Sequence, residues 1–173
     1  ILELYEKKKL RVLLAAPTGR AAMRMSEVTG KEAKTVHRLL EVEWTDGSHR
    51  PKFVRNMENP LEADAVIIDE LSMVDTHLFA ALLDALPLGC RLVMVGDSDQ
   101  LPPVGAGNVL QDIITSGLLP VVALTEVFRQ SLESLIVTNA HKIVKGEYPE
   151  LSHTDKDFFF LQRGSIFQSA STV

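Results

Sequence analysis

Short apolar runs that stop abruptly at polar or turn-forming residues alternate with helical spacing along most of this chain. The clearest run, Val66-Ile67-Ile68, is continuously apolar rather than alternating, the pattern of a strand buried on both faces of a parallel sheet. Residues 10–16 read as an earlier strand, stopped by Pro17, and residues 91–95 as a later one that opens into Gly96. Residues 121–124 predict a fourth strand and residues 158–161 a short fifth. Residues 1–9 read as the end of an amphipathic helix with Ile1, Leu4 and Tyr5 on one face and lysines in its last turn. Residues 23–40 read as mostly helical, interrupted near Thr29-Gly30, with Thr35 as an N-cap for the second part. Residues 75–86 carry Leu78, Leu82, Leu83 and Leu86 at helical spacing, a core-facing stripe, and residues 108–116 and 132–144 are also helical.

Residues 41–59 differ in character. Two short polar and aromatic runs, Glu41-Val42-Glu43-Trp44-Thr45 and Lys52-Phe53-Val54-Arg55, flank the turn cluster Asp46-Gly47-Ser48-His49. The pattern predicts a β-hairpin projecting from the domain, closed by Asn59-Pro60. Trp44 and Phe53 would either form a cross-strand pair over the core edge or stand free for an aromatic contact with a partner.

Composition narrows the class. A chain of 173 residues with 46% hydrophobic positions and a mean hydropathy of +0.09 suits a globular domain with a substantial core. No apolar run approaches a membrane span and no signal peptide is visible. The single cysteine, Cys90, excludes an intrachain disulfide and fits a reducing cytoplasm; no zinc-ligand spacing occurs. Charge is uneven. Residues 1–60 carry 12 Lys/Arg against 8 Asp/Glu, and the remainder carries 6 against 15. A basic first third is compatible with a phosphate backbone, and the acidic remainder argues against a surface coated by nucleic acid.

The chemistry-bearing residues gather where apolar runs end. In open α/β sheets ligands bind outside the carboxyl ends of the strands, which is where Asp69 and Glu70 fall. Asp69 suits Mg²⁺ held through its water shell, and Glu70 suits polarising a water for attack on a phosphoryl group. The plain alternative is a strand ending in a solvated turn. Pro17-Thr18-Gly19-Arg20 is a strand-to-helix turn in which Gly19 admits close approach, Thr18 offers a hydroxyl and Arg20 a charge. It suits a phosphate, or is an ordinary connector with one exposed arginine. The 96–107 loop is dense in glycine and proline, and its Gln100 suits sensing a γ-phosphate or the attacking water. Asp97 and Asp99 would make a separate metal site only with partners the sequence does not supply. Arg129 stands just past the fourth expected strand. His37 reads as structural on local pattern alone.

Taken in order, these segments resemble the first motor domain of a superfamily 1 DNA helicase of the RecD/TraA type. Ala16-Pro17-Thr18-Gly19-Arg20-Ala21-Ala22 is similar to that family's motif Ia, and Asp69-Glu70-Leu71-Ser72-Met73-Val74-Asp75 to its motif II, the Walker B strand. Gly96-Asp97-Ser98-Asp99-Gln100-Leu101-Pro102-Pro103-Val104-Gly105-Ala106-Gly107 resembles motif III, the most specific of them, and residues 124–130 motif IV. Thr35-Val36-His37-Arg38-Leu39-Leu40 resembles the segment after motif Ia. The resemblance covers residues 1–161, with the hairpin at 41–59 as an insert and residues 162–173 as the start of a following segment. It implies a RecA-like P-loop NTPase fold, a parallel sheet flanked by helices, and ATP-driven 5′→3′ movement on single-stranded DNA in recombination and repair. By position it implies Asp69 for Mg²⁺, Glu70 for the catalytic water, Gln100 for the γ-phosphate and Arg129 as arginine finger. Pro17, Thr18, Gly19, Arg20, His37 and the Pro102-Pro103-Val104 turn would line the DNA track, and recombination or nuclease subunits are the implied protein partners. One departure stands out: no Gly-x-x-x-x-Gly-Lys-Ser/Thr occurs anywhere, so the expected sheet lacks its P-loop strand. The reading is a fragment of an ATP-dependent helicase. The competing one is a non-hydrolysing, motor-derived module that binds DNA or a protein partner.

Overall fold

A computed structural model describes residues 1–43, 52–124, 134–153, 157–158 and 160–161. Two compact units divide at residue 121: Ile1–Val121 and Val122–Val173.

The first unit is built on a four-stranded parallel sheet of β1 (Val12–Ala16), β2 (Ala33–Thr35), β5 (Ala65–Ile68) and β6 (Arg91–Met94). Their order across the sheet is β2-β1-β5-β6. β5 sits between β1 and β6, with Leu14 opposite Ile67 and Ile68 opposite Met94. All four of its residues are buried, which is why its sequence is apolar without alternation. Val66 and Ile68 face a core completed by Val36, Leu39, Leu78 and Leu82. Helix α1 (Leu2–Lys7) precedes β1. Helix α2 (Gly19–Thr29) packs on β1 and β2, and α3 (Val36–Leu39) and α4 (Thr76–Asp84) pack on each other. A separate two-stranded antiparallel sheet pairs β3 (Val42–Glu43) with β4 (Lys52–Phe53), the expected hairpin. Its turn, with Trp44 and Arg50, lies outside the described residues. By register Phe53 faces Val42.

The parallel sheet, the hairpin and the helix caps agree with expectation; three local readings need correction. Residues 33–35 are a strand, not helix. Three residues without an apolar run carry no strand signal, and β2 exists because it pairs with β1 and because Ser26 Oγ accepts the Ala33 amide at 2.9 Å. Residues 121–124 are exposed and form no ladder. β6 pairs only with β5 among the described residues, and a strand without a neighbour has no bonds to hold it. This open edge is where the resemblance puts the P-loop strand. Phe158, Phe160 and Leu161 likewise show no strand.

In the second unit, α6 (Leu135–Val144) follows α5 (Val109–Ser116) of the first and starts at Ser134. Ser134 Oγ accepts the Val137 amide at 3.3 Å and donates to Asp157, whose carboxylate also accepts the Leu135 amide at 2.8 Å. The Ser134 hydroxyl, and after it the amides of Leu135 and Ile136, hold the Asp157 carboxyl below its ordinary value. A carboxylate depressed in the folded state stabilises above its unfolded pKa of about 3.9, and that contribution is lost as pH falls through the folded value. Hydrogen exchange at Val137 should therefore be pH-independent in protection near neutrality and lose protection in acid. In Asp157→Asn the acid step should disappear; its persistence would mean another group controls the cap.

Candidate nucleotide and DNA site

The two carboxylates leave the sheet in different ways. The Asp69 amide still bonds Ala15 O at 3.0 Å, so Asp69 continues the line of β5. Its Oδ1 accepts the Glu70 amide at 2.9 Å. Glu70 turns away with φ +55, in the left-handed region that a β-carbon disfavours, and opens a single 3₁₀ turn, Leu71–Met73. Both side chains are half-buried at the carboxyl end of the sheet.

That turn is locked to the end of β6. Leu71 N donates to Val95 O at 2.9 Å, and a β-carbon on Gly96 would lie 3.2 Å from the amides of both Leu71 and Ser72. Glycine at 96 is what lets the two strand ends close. Ser72, itself buried, sends its Oγ toward Gln100 Oε1 at 3.4 Å. Gln100 is thereby tied to the 3₁₀ turn that directly follows Asp69 and Glu70. Ser72 is a link that motif reading misses; its only signal is a small hydroxyl residue two positions past the acidic pair.

The far end of the same loop rests on α4. Asp75 caps that helix, its Oδ1 accepting the Leu78 amide at 2.8 Å, and Thr76 N donates to Ala106 O at 3.0 Å. A β-carbon on Gly105 would stand 2.0 Å from Asp75 Oδ2, and one on Gly107 2.0 Å from Thr76 Oγ1. Pro102 and Val104 are exposed between these anchors and Pro103 is half-buried.

The expected DNA-facing residues lie at the carboxyl ends of β1 and β2. Thr18 Oγ1 accepts the Ala21 amide at 3.2 Å, so its hydroxyl caps α2. Thr35 caps α3 in the same way through the Arg38 amide at 3.2 Å. Pro17 is half-buried, Gly19 and Arg20 are exposed, and the space around Gly19 is empty. An open cleft of about 460 Å³ between α2 and α3 is lined by Gly19, Met23, Lys34, Thr35 and Arg38. Sequence reasoning does not single out Lys34 and Arg38, although Arg38 stands beside His37 in the Thr35–Leu40 segment. His37 is half-buried with its ring 6.1 Å from Phe53. Arg129 lies outside the described residues.

No group of three or more His, Cys, Asp and Glu side chains gathers to hold a metal among the described residues. A pair such as Asp69 and Glu70 fits the way Mg²⁺ is held, by one or two carboxylates with waters and phosphates completing its shell. No helix among the described residues is long and apolar enough to cross a membrane.

Residues 1–106 match the AAA domain family. The chain is 43% identical over 149 residues to the ATP-dependent RecD2 DNA helicase of Deinococcus radiodurans, covering 86% of this chain and 20% of that protein. It is 38% identical over 128 residues to the RecBCD enzyme subunit RecD of Mycobacterium tuberculosis, covering 65% of this chain and 21% of that one. The crystal structure of Pif1 helicase from Bacteroides in complex with ADP-AlF3 and ssDNA matches with a TM-score of 0.50 at 25% identity, over 78% of this chain and 36% of that one. The chain spans about a fifth of the length of these curated relatives. With its acidic pair, its glutamine loop and its parallel sheet in the places described, the chain belongs to the AAA domain family, and its kin there are the RecD-type DNA helicases.

Proposed function

We propose that this chain is part of a motor that couples ATP hydrolysis to 5′→3′ movement on single-stranded DNA, in recombination or repair and in the cytoplasm. The observation that carries the reading is the Asp69-Glu70 pair at the carboxyl end of the parallel sheet, with Gln100 of the following strand's loop held to Ser72 of the turn behind that pair. ATP-Mg²⁺ would take Asp69 through water, and the bound cation would neutralise charge developing on the phosphates. Glu70 would accept a proton from the attacking water, and Gln100 would contact the γ-phosphate. Arg129 keeps its proposed role as arginine finger. The DNA strand would cross Pro17–Arg20, His37 and the 102–104 turn, with the β3–β4 hairpin as a separating pin at the fork. RecBCD-type subunits are the protein partners that kinship suggests.

The test is DNA-stimulated ATPase and duplex unwinding by the longer protein that carries this chain, beside the 173-residue chain alone. The longer protein should show both. The chain alone has no Gly-x-x-x-x-Gly-Lys-Ser/Thr, hence no phosphate cradle, and should show neither. A longer protein that bound DNA without hydrolysis would establish the module reading in place of the motor.

Gly19→Ala separates DNA contact from folding. Gly19 is the first residue of α2, its φ is unexceptional and nothing lies within 4 Å of an added β-carbon. Alanine is the better helix former by about 0.8–1 kcal/mol in a helix interior and less at the end, so thermal stability should hold or rise. Affinity for single-stranded DNA should nonetheless fall several-fold, because the methyl occupies the space a phosphate would approach. Unchanged affinity in a binding titration at fixed salt would take Gly19 off the track.

A further inference from the structure

The hairpin is joined to the rest of the unit at two places of different chemistry. At its base the joints are polar. Val54 N donates to Glu41 O at 3.2 Å and Arg55 N to Leu40 O at 3.1 Å, stitching the return strand to the end of α3. Arg55 Nε and Nη2 both donate to Glu41 Oε1, at 3.0 and 2.8 Å. Asn56 Oδ1 closes the following turn by accepting the amides of Glu58 and Asn59 at 2.9 and 3.2 Å. These bonds fix where the hairpin starts.

The second joint is Phe53. Its ring centroid lies 6.1 Å from His37 and 6.2 Å from His77, tilted 47° and 41° to them, and the side chain packs against the buried core. Both separations are within the range in which aromatic rings attract. His37 belongs to α3, beside the cleft lined by Thr35 and Arg38. His77 belongs to the first turn of α4, one residue from the Thr76 amide that holds Ala106 of the Gln100 loop. One hairpin side chain therefore touches both the segment offered to DNA and the helix end on which the nucleotide-side loop rests.

We propose that Phe53 is the positioning residue of the hairpin, seated between His37 and His77 so that the hairpin's orientation is set jointly by the DNA-side α3 and the loop-side α4. This rests on the motor reading for its consequence, but not for its geometry. Without Phe53 the β3–β4 strand pair is held to the unit by its polar base alone; with Phe53 the pair is also seated on α3 and α4. Contact through Phe53 is a physical path, and energetic coupling along it is what the experiment measures.

The experiment uses the longer protein carrying this chain. Phe53→Leu keeps an apolar side chain and removes the ring; Phe53→Tyr keeps the ring. Phe53→Leu should reduce duplex unwinding about tenfold, the loss of two ring contacts, with DNA-stimulated ATPase within about twofold of wild type. Phe53→Tyr should restore unwinding. His77→Leu should mimic Phe53→Leu, and the double variant should be no worse than either single one, as for residues acting through one contact. Hydrogen exchange at the Glu43 and Lys52 amides reads the seating directly and should accelerate in Phe53→Leu but not in Phe53→Tyr. Unwinding within twofold of wild type in Phe53→Leu would overturn the proposal. So would a parallel loss of ATPase and thermal stability, which marks a core residue and nothing more. If the wild-type protein unwound no DNA, the motor reading would fail, and unchanged exchange in Phe53→Leu would still decide against the wedge.

Discussion

Glu70→Gln in the longer protein is expected to leave nucleotide binding nearly intact and to stop turnover. The substitution keeps the size and hydrogen-bonding reach of the side chain but removes the group that accepts a proton, and general-base catalysis is worth about 10²–10⁴ in rate. The structure separates this role from that of its neighbour. Asp69 stays in line with β5, while Glu70 leaves that line at φ +55, so the two carboxylates present themselves differently. Single-turnover measurement with and without DNA, beside a nucleotide titration, distinguishes lost chemistry from lost binding. If Glu70→Gln hydrolysed ATP within tenfold of wild type, another residue would be the base, and the left-handed turn would be a structural device only.

Gly105→Ala is expected to cost about as much without touching a reacting atom. The new β-carbon would fall 2.0 Å from Asp75 Oδ2 and 2.7 Å from Asp75 Cβ and Cγ. Asp75 cannot simply rotate away, because its other oxygen caps α4 through the Leu78 amide at 2.8 Å. Either the cap breaks, at about 1 kcal/mol, or the loop lifts off and takes the Thr76–Ala106 bond and the position of Gln100 with it. A displacement of about 1 Å at a positioning group can cost on the order of 10² in rate. ATPase should thus fall about a hundredfold, and DNA affinity should fall with it, because the 102–104 turn on the proposed track belongs to the displaced loop. Asp75→Ala in the same chain removes the obstacle and should recover part of the rate. Without such recovery the loss would have to arise from the loop's own backbone.

Much of the fold is legible in the order of the residues. β1, β5 and β6 announce themselves as apolar runs because they are inner or half-buried strands, and burial on both faces writes itself into composition. Thr35 as a cap follows from the local hydrogen-bonding habit of threonine. β2 is illegible because Ala33-Lys34-Thr35 becomes a strand only through pairing with β1, whose Leu14 lies 19 residues before its partner Ala33. Residues 121–124 mislead for the opposite reason, since their apolar pattern is strand-like but no neighbour pairs with them. In the site, chemistry and motif name Asp69, Glu70 and Gln100. Their joinery is what sequence does not carry: the Ser72 link, the closeness demanded at Gly96 and Gly105, and the inward packing of Phe53.

The left-handed backbone at Glu70 also bears on how this chain could drift. A non-glycine residue held there costs on the order of 1 kcal/mol or more, and asparagine or glycine would relieve it. A population screened only for heat resistance should therefore accumulate Asn or Gly at position 70 and grow steadily more robust while falling silent. On the proposed motor reading, descendants of the longer protein that have lost turnover should be recognisable by that one change, long before their cores decay.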